Sequence, residues 1–289
     1  MMKVSYYPGC SLDGTATEYN QSLEAVAEKL EIELAELKDW TCCGASSAHV
    51  IDDKLAVALA GRNLLIADRA GLDLLVPCAA CFQRLKSADK HLKAGETIEG
   101  LSHKYEGKFS IKHSADMLWE KFGEKKIAAP VKKPLTGLHP VCYYGCLTTR
   151  PPKITDAANP EDPQSMDEIL KALGADVKPW SYKTDCCGGN LALTHTELAK
   201  KLIKKIFDMA EEAGADCIVV SCPMCHSNLD TRIGSILKEN GEKYSLPVYY
   251  FSELMALAYG QTNVEKWLNK HFTEGKTLLK EKGLLASPG

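Results

Sequence analysis

Apolar and polar positions along the chain alternate between two rhythms. Residues 3–7 and 72–76 are short β-prone runs, the second continuously apolar as in a strand buried on both faces. Residues 16–30 carry apolar side chains at helical spacing, 34–40 form a further candidate strand, and 53–70 is a strong helix rich in Ala and Leu. Residues 82–92 are again helical. This alternation predicts a parallel sheet with covering helices. The order then returns, with candidate strands at 135–144, 177–180 and 217–220 and candidate helices at 166–173, 198–213 and 227–240. Residues 111–123 and 248–260 each read as a short strand running into a helix that ends on glycine. Thr15-x-x-Glu18 and Ser165-x-x-Glu168 have the form of capping boxes at helix starts.

The cysteines follow the same repeat. Cys42, Cys43, Cys78 and Cys81 recur as Cys186, Cys187, Cys222 and Cys225, each displaced by 144 positions, and Cys10 answers Cys146 at a displacement of 136. Cys42-Cys43-Gly44 matches Cys186-Cys187-Gly188, and Tyr7-Pro8-Gly9-Cys10 matches Tyr144-Gly145-Cys146. The sequence therefore reads as a tandem duplication: two pseudo-symmetric, Rossmann-like α/β subdomains, 1–133 and 134–289, each a mostly parallel sheet with covering helices. On that outline Cys10, Cys78, Cys146 and Cys222 each follow a strand and the paired cysteines precede a helix. All ten then gather at the carboxyl ends of the strands, where open α/β sheets bind ligands.

Composition narrows the chemistry. The chain has 289 residues, 25% charged, with a formal net charge of -3, which gives no reason to expect a nucleic-acid partner. No apolar run reaches the roughly 20 residues of a membrane helix, and the N-terminus lacks a secretory core, so a cytoplasmic protein without a membrane span is expected. In a reducing compartment the 12 cysteines stay free unless a metal or a catalytic cycle claims them. A Cys-x-x-Cys pair alone fits zinc, a cubane cluster or a thioredoxin-like site. Structural zinc takes four ligands and so does a cubane cluster; each would leave one thiolate over in each half. Cys217 begins an apolar run and reads as a small buried hydrophobe. Cys142 lies close to Cys146 and its role is open.

The doubled motif resembles the cysteine-rich CCG domain, and nearly the whole chain resembles the B-type subunits of the heterodisulfide reductase family. Tyr7-Pro8-Gly9-Cys10-Ser11, Gly145-Cys146-Leu147-Thr148-Thr149-Arg150-Pro151 and Asn159-Pro160-Glu161-Asp162-Pro163 add to the likeness. The resemblance implies two non-cubane [4Fe–4S] clusters, one held by Cys10, Cys42, Cys43, Cys78 and Cys81 and the other by Cys146, Cys186, Cys187, Cys222 and Cys225. It implies reduction of a disulfide, the coenzyme M–coenzyme B heterodisulfide of methanogenesis or a related one. It also implies a C-type partner with cubane [4Fe–4S] clusters and a flavin-containing A-type partner, with a hydrogenase or formate dehydrogenase among the further partners. The Cys-x2-Cys-x2-Cys-x3-Cys-Pro signature of ferredoxin-type clusters is missing, as is a glycine-rich dinucleotide fingerprint, so electrons must come from another subunit.

Cleaving a disulfide takes two electrons, and two clusters facing each other across the pseudo-twofold would each supply one. His49, His195 and His226 lie near the motifs and are the candidate proton donors, each more simply read as satisfying a hydrogen bond. Arg84, Arg150 and Lys183 are candidate cations for an anionic substrate, each more simply read as solvated surface. Two rivals stand beside this reading: an electron-transfer subunit of another oxidoreductase with no disulfide substrate, and a zinc-stabilised interaction module.

Overall fold

The structure is a computed structural model and describes residues 1–45, 47–98, 104–241 and 246–286. The first half contains β1 (Met2–Tyr6), a π-helical turn (Ser11–Thr15), α1 (Thr17–Lys29), β2 (Ile32–Glu36), α2 (Ala48–Ile51), α3 (Asp53–Ala70), β3 (Leu74–Val76), α4 (Ala79–Lys93), β4 (Ile111–His113) and α5 (Ser114–Ala128). The second contains β5 (Pro140–Tyr143), α6 (Pro152–Thr155), α7 (Ser165–Ala172), a 3-10 turn (Gly189–Leu191), α8 (Thr196–Glu212), β6 (Cys217–Val220), α9 (Pro223–Asn240), β7 (Val248–Tyr250), α10 (Phe251–Ala258), α11 (Val264–Leu268) and α12 (Lys276–Glu281). Two parallel sheets result, in the order β2-β1-β3-β4 and β5-β6-β7. These are the two Rossmann-like α/β subdomains expected from the alternating pattern.

The local signals act as their chemistry requires. Asp52 caps α3 by accepting from the Leu55 amide at 2.9 Å, and Gly71, at φ 65°, ends it. Pro223 opens α9, where its missing N–H costs nothing. The run Cys217–Val220 has all four residues buried, the signature of a strand covered on both faces. Its apolar side chains contribute about 1.5–3 kcal/mol each.

Three expectations need correction. Residues 177–180 are not a strand of the second sheet. The segment still runs beside β5, with Asp176 N–H donating to Leu138 O (3.0 Å) and Lys178 N–H to Pro140 O (2.8 Å). Pro179 has no N–H to offer, which suits an edge position. Neither capping box forms. The turn before α1 satisfies itself, Ala16 N–H donating to Ser11 O at 2.7 Å, so α1 opens at Thr17 and Glu18 is buried instead of bonding back. Ser165 lies inside the first turn of α7, and its hydroxyl donates to Asp116 of α5 at 2.7 Å. There a tertiary partner takes the hydroxyl that a cap would have used.

The halves are bound closely. α1 packs on α10 and α5 on α7. Ser22 and Ser252 hydroxyls share a 2.6 Å hydrogen bond, and Tyr259 donates to Ile127 O at 2.9 Å. The seam is therefore a continuous core.

Candidate metal centre

Cys10 leads into the turn after β1, Cys146 follows β5, and Cys78 and Cys222 are the residues that cap α4 and α9 just beyond β3 and β6. Cys81 and Cys225 stand in the first turns of those helices. Cys42-Cys43 and Cys186-Cys187 lie in the loops before α2 and before the Gly189–Leu191 turn. The ten thus share the carboxyl edge of the two sheets. Cys10, Cys42 and Cys186 are exposed and Cys146 half-buried, while Cys43, Cys78, Cys81, Cys187, Cys222 and Cys225 are buried.

The two surroundings repeat each other closely. Tyr7 donates to Thr41 O at 2.7 Å and Tyr143 to Asp185 O at 2.5 Å, each fixing the carbonyl just before a cysteine pair. The Gly44 amide donates to Cys42 Sγ at 3.4 Å, the Gly188 amide to Cys186 Sγ at 3.3 Å. Gly9 and Gly145 both have φ 69°; a Cβ there would lie 2.9 Å from Cys81 Sγ and 2.8 Å from Cys225 Sγ. The backbone must approach sulfur closely at both places, which only glycine permits. Tyr143, not Tyr144, is the counterpart of Tyr7.

The sulfurs form a chain that crosses the seam. Cys42 contacts Cys43, the Cys43 and Cys81 thiols hydrogen-bond at 3.2 Å, and Cys81 contacts Cys78. Cys78 lies within electrostatic reach of Cys222 of the other half, as does Cys222 of Cys225 and Cys225 of Cys187. Cys146 pairs with Cys186, and Cys10 lies within electrostatic reach of Cys42. The neighbouring Cys42 thiol, first among the causes, favours the thiolate at Cys43, and the Cys146 thiol does so at Cys186, lowering it to about 6. Cys225 and Cys78 likewise hold Cys222 well below the usual thiol range, while Cys81 and Cys225 are pushed up as donors in such pairs.

All twelve cysteines are free thiols. Among the described residues no three His, Cys, Asp or Glu side chains converge as the ligands of a single metal ion would. A strung-out set of soft sulfur donors with glycine cradles suits a polynuclear iron–sulfur group better than one tetrahedral zinc.

The other candidates fall in separate places. His226 is buried, donates from Nε2 to Val248 O at 3.2 Å and stacks on Tyr250 at 4.2 Å; burial and then the nearby His271 keep it neutral. His195 is exposed beside Thr194. His49 lines a 230 Å³ hollow with Arg84 and His91. Arg150 is tied to Glu161 and Thr184. Lys183 is not solvated surface: its side chain is 5% exposed and paired with Asp167 (2.9 Å) and Asp162 (2.7 Å). Cys142 is buried in β5, and burial is the main reason its acidity falls. Cys217 is buried in β6.

Side chains that bear on the motifs were missed by sequence reasoning. Asn63 bonds both the Thr41 amide (2.8 Å) and Thr41 O (2.9 Å), and Asn228 donates to Cys187 O at 2.7 Å. Tyr19 and His113 reach the backbone before Cys78 and Cys222. Only the tyrosines at positions 7 and 143 carried a readable signal, their spacing matching that of Cys10 and Cys146.

Fold and site together define a duplicated, cysteine-rich α/β protein with a sulfur-lined seam. The family described as "Cysteine-rich domain" (CCG) matches residues 4–86 and 141–230, and the chain belongs to that family. It is 32% identical over 278 residues (95% of this chain, 98% of the relative) to the 8-methylmenaquinol:fumarate reductase membrane anchor subunit of Wolinella succinogenes. It is 28% identical over 271 residues (90% of each) to the B-type subunit of the ferredoxin/F420H2-dependent CoB-CoM heterodisulfide reductase of Methanosarcina acetivorans. In fold it is similar to a hypothetical protein from Helicobacter pylori, with TM-score 0.72 and 12% identity over 94% of this chain, which spans 52% of that protein. Membership and these relatives imply an iron–sulfur subunit of the oxidoreductase class. No described helix is long and apolar enough to cross a membrane.

Proposed function

We propose that this chain holds two iron–sulfur clusters, one per half, and reduces a disulfide as a subunit of a cytoplasmic oxidoreductase complex. The observation that carries this reading is the paired geometry of the two motifs: Gly9 and Gly145 bring backbone against the Cys81 and Cys225 sulfurs, and Tyr7 and Tyr143 fix the two cysteine-pair loops in the same way. Cys10, Cys42, Cys43, Cys78 and Cys81 would hold one cluster, and Cys146, Cys186, Cys187, Cys222 and Cys225 the other, within the subdomains 1–133 and 134–289. Five thiolates per half exceed the four of a cubane and favour a non-cubane [4Fe–4S] form. When bound, such clusters supply electrons one at a time, and a disulfide needs two.

The chain's own residues supply the rest. Tyr7 and Tyr143 fix the loops bearing the cysteine pairs, and the Gly44 and Gly188 amides donate to outer sulfurs. Such bonds favour the thiolate and tune a cluster's potential. Walls from both halves enclose a cavity of 620 Å³. Phe82, beside Cys81, and Thr148 and Thr149, close after Cys146, line it, and the Thr149 hydroxyl is buried without a partner. Lys86 and Lys90 share one carboxylate there, Asp156, each at 2.5 Å. An acidic disulfide such as coenzyme M–coenzyme B is the substrate type named for the Methanosarcina relative, and Lys86 and Lys90 are cations that could meet it, in a cavity they share with the carboxylates of Asp89, Asp116 and Asp162. Electrons would arrive from partner subunits: a C-type partner with cubane clusters and a flavin-bearing A-type partner. Val50, Ile51, Leu55, Leu193 and Leu198 are exposed apolar residues in the segments following the two cysteine pairs, a position suited to docking them.

The Wolinella relative, named as a fumarate reductase subunit, favours a second reading: electron transfer with no disulfide substrate. Anaerobic purification tests both. About eight irons per chain with matching sulfide are expected, and zinc at one per half would refute either reading. Reduced protein that consumes an acidic disulfide supports the first; reduced clusters that leave every such disulfide intact support the second.

A further inference from the structure

The carbonyls immediately before the two inner cysteines, Pro77 O and Ser221 O, meet at one point of the seam. His113 Nε2 lies 2.9 Å from the first and 3.2 Å from the second. Both are acceptors, so Nε2 carries the proton and donates to both. The Tyr19 hydroxyl donates to Ser221 O at 3.0 Å and accepts from the Ser114 hydroxyl at 3.0 Å. Tyr19 is fully buried and His113 2% exposed. The Tyr19 ring stacks on Tyr250 at 4.2 Å and 3°, and Tyr250 stacks on His226, the neighbour of Cys225, at 4.2 Å and 14°.

This arrangement is one-sided, although the surroundings of the cysteine pairs are symmetric. At the offset that matches Thr15 with Ser165, Tyr19 corresponds to Ile169, which has no donor. At the offset that matches Ile111 with Val248, His113 corresponds to Tyr250, which stacks on Tyr19. The first half supplies both donors, and the second supplies the Ser221 carbonyl. A carbonyl cannot bond to a carbonyl, so these two peptides need shared donors to be tied to each other directly.

We propose that Tyr19 and His113 are positioning residues that clamp the peptides before Cys78 and Cys222 together and so fix the contact between the two cluster sites. The clamp keeps the inner sulfurs in register across the seam; its electronic consequence rests on the two-cluster reading, and its geometric consequence does not. Buried bonds of this kind lose both the contact and the desolvation already incurred when one partner is removed.

Four variants test it: Tyr19→Phe, which keeps the ring stack; His113→Leu; the double variant; and His113→Gln, whose amide restores a donor. In the metal-free chain, mild oxidation with diamide joins neighbouring thiols, and the Cys78–Cys222 disulfide is mapped by peptide mass. Its yield should fall in both single variants, fall further in the double and recover in His113→Gln. Unchanged yield in the double variant overturns the clamp whatever the iron content. In the iron-loaded protein, the magnetic interaction between the two reduced clusters should weaken in Tyr19→Phe at unchanged iron per chain, and be lost in the double. A wild-type interaction in Tyr19→Phe and His113→Leu alike overturns the electronic consequence. If the double variant fails to fold, the single variants decide both points. A wild-type chain with iron for one cluster refutes the two-cluster reading and leaves the disulfide result to judge the clamp.

Discussion

Gly9, Gly145 and Gly71 share one backbone conformation and differ in what surrounds them, so alanine at each separates strain from contact. Their φ values are 69°, 69° and 65°. An L-residue in this region costs about 1–2 kcal/mol, and that cost is common to all three. At Gly71 nothing lies within 4 Å of an added Cβ. At Gly9 it would meet Cys81 Sγ at 2.9 Å and Tyr7 at 3.4 Å, and at Gly145 Cys225 Sγ at 2.8 Å. Forcing a methyl into such a space adds about 1–3 kcal/mol, and on the two-cluster reading a sulfur bonded to iron could not swing away to relieve it. Gly9→Ala and Gly145→Ala should therefore each cost about 2–5 kcal/mol and each empty its own half, leaving about half the wild-type iron and sulfide. Gly71→Ala should keep full iron. Metal analysis after anaerobic reconstitution, with urea midpoints of the metal-free chains, reads both effects. Full iron in Gly9→Ala together with the midpoint of Gly71→Ala would refute the reasoning.

Replacing Cys217 by Ala should leave iron per chain unchanged, whereas Cys187→Ala should lower it; equal losses by metal analysis would count against the ligand assignment. Lys183→Met leaves the buried Asp167 without its 2.9 Å cation and should destabilise by about 3–5 kcal/mol, with Asp167→Asn recovering part of this in the double variant, as denaturant midpoints would show. His271 is buried, which alone would lower its pKa, but the Glu253 charge and hydrogen bond raise it. Its contribution is then complete below the unfolded value of about 6.5 and is lost as pH rises through the raised value. The stability cost of His271→Gln should be larger at acidic than at alkaline pH, and a pH-independent difference would dismiss the pair.

What was legible in the sequence was what a period can carry. The constant offset of the cysteine pairs forecast two subdomains, and continuous apolar runs located strands such as Cys217–Val220. The capping boxes failed because a hydroxyl's local partner competes with partners the sequence cannot rank; Ser165 found Asp116, 49 positions away. Lys183 looked like surface because lysine usually is, but Asp167 and Asp162 meet it from an element folded back over it. The seam was the least visible part. His113 lies 108 positions from Ser221 and Tyr19 lies 202, and neither residue belongs to the repeat that gave the cysteines away. Duplication announces what both halves share; a device supplied by one half alone leaves no echo to detect.

The burial of the sulfurs gives the two ends of the chain different work. Cys10, Cys42 and Cys186 face solvent, whereas Cys78 and Cys222 are 3% and 2% exposed and lie within electrostatic reach of each other. On the two-cluster reading an outer sulfur is within reach of a docked donor, and the exposed Val50, Ile51 and Leu193 next to the cysteine pairs would be covered by it. An inner sulfur has only the other half as neighbour. A symmetric duplication alone would offer two equivalent outer edges and no donor shared between the peptides that precede the inner sulfurs. On the two-cluster reading the one-sided donors at Tyr19 and His113 supply that tie, so that the seam as well as the repeat would join the two halves into a single two-electron unit.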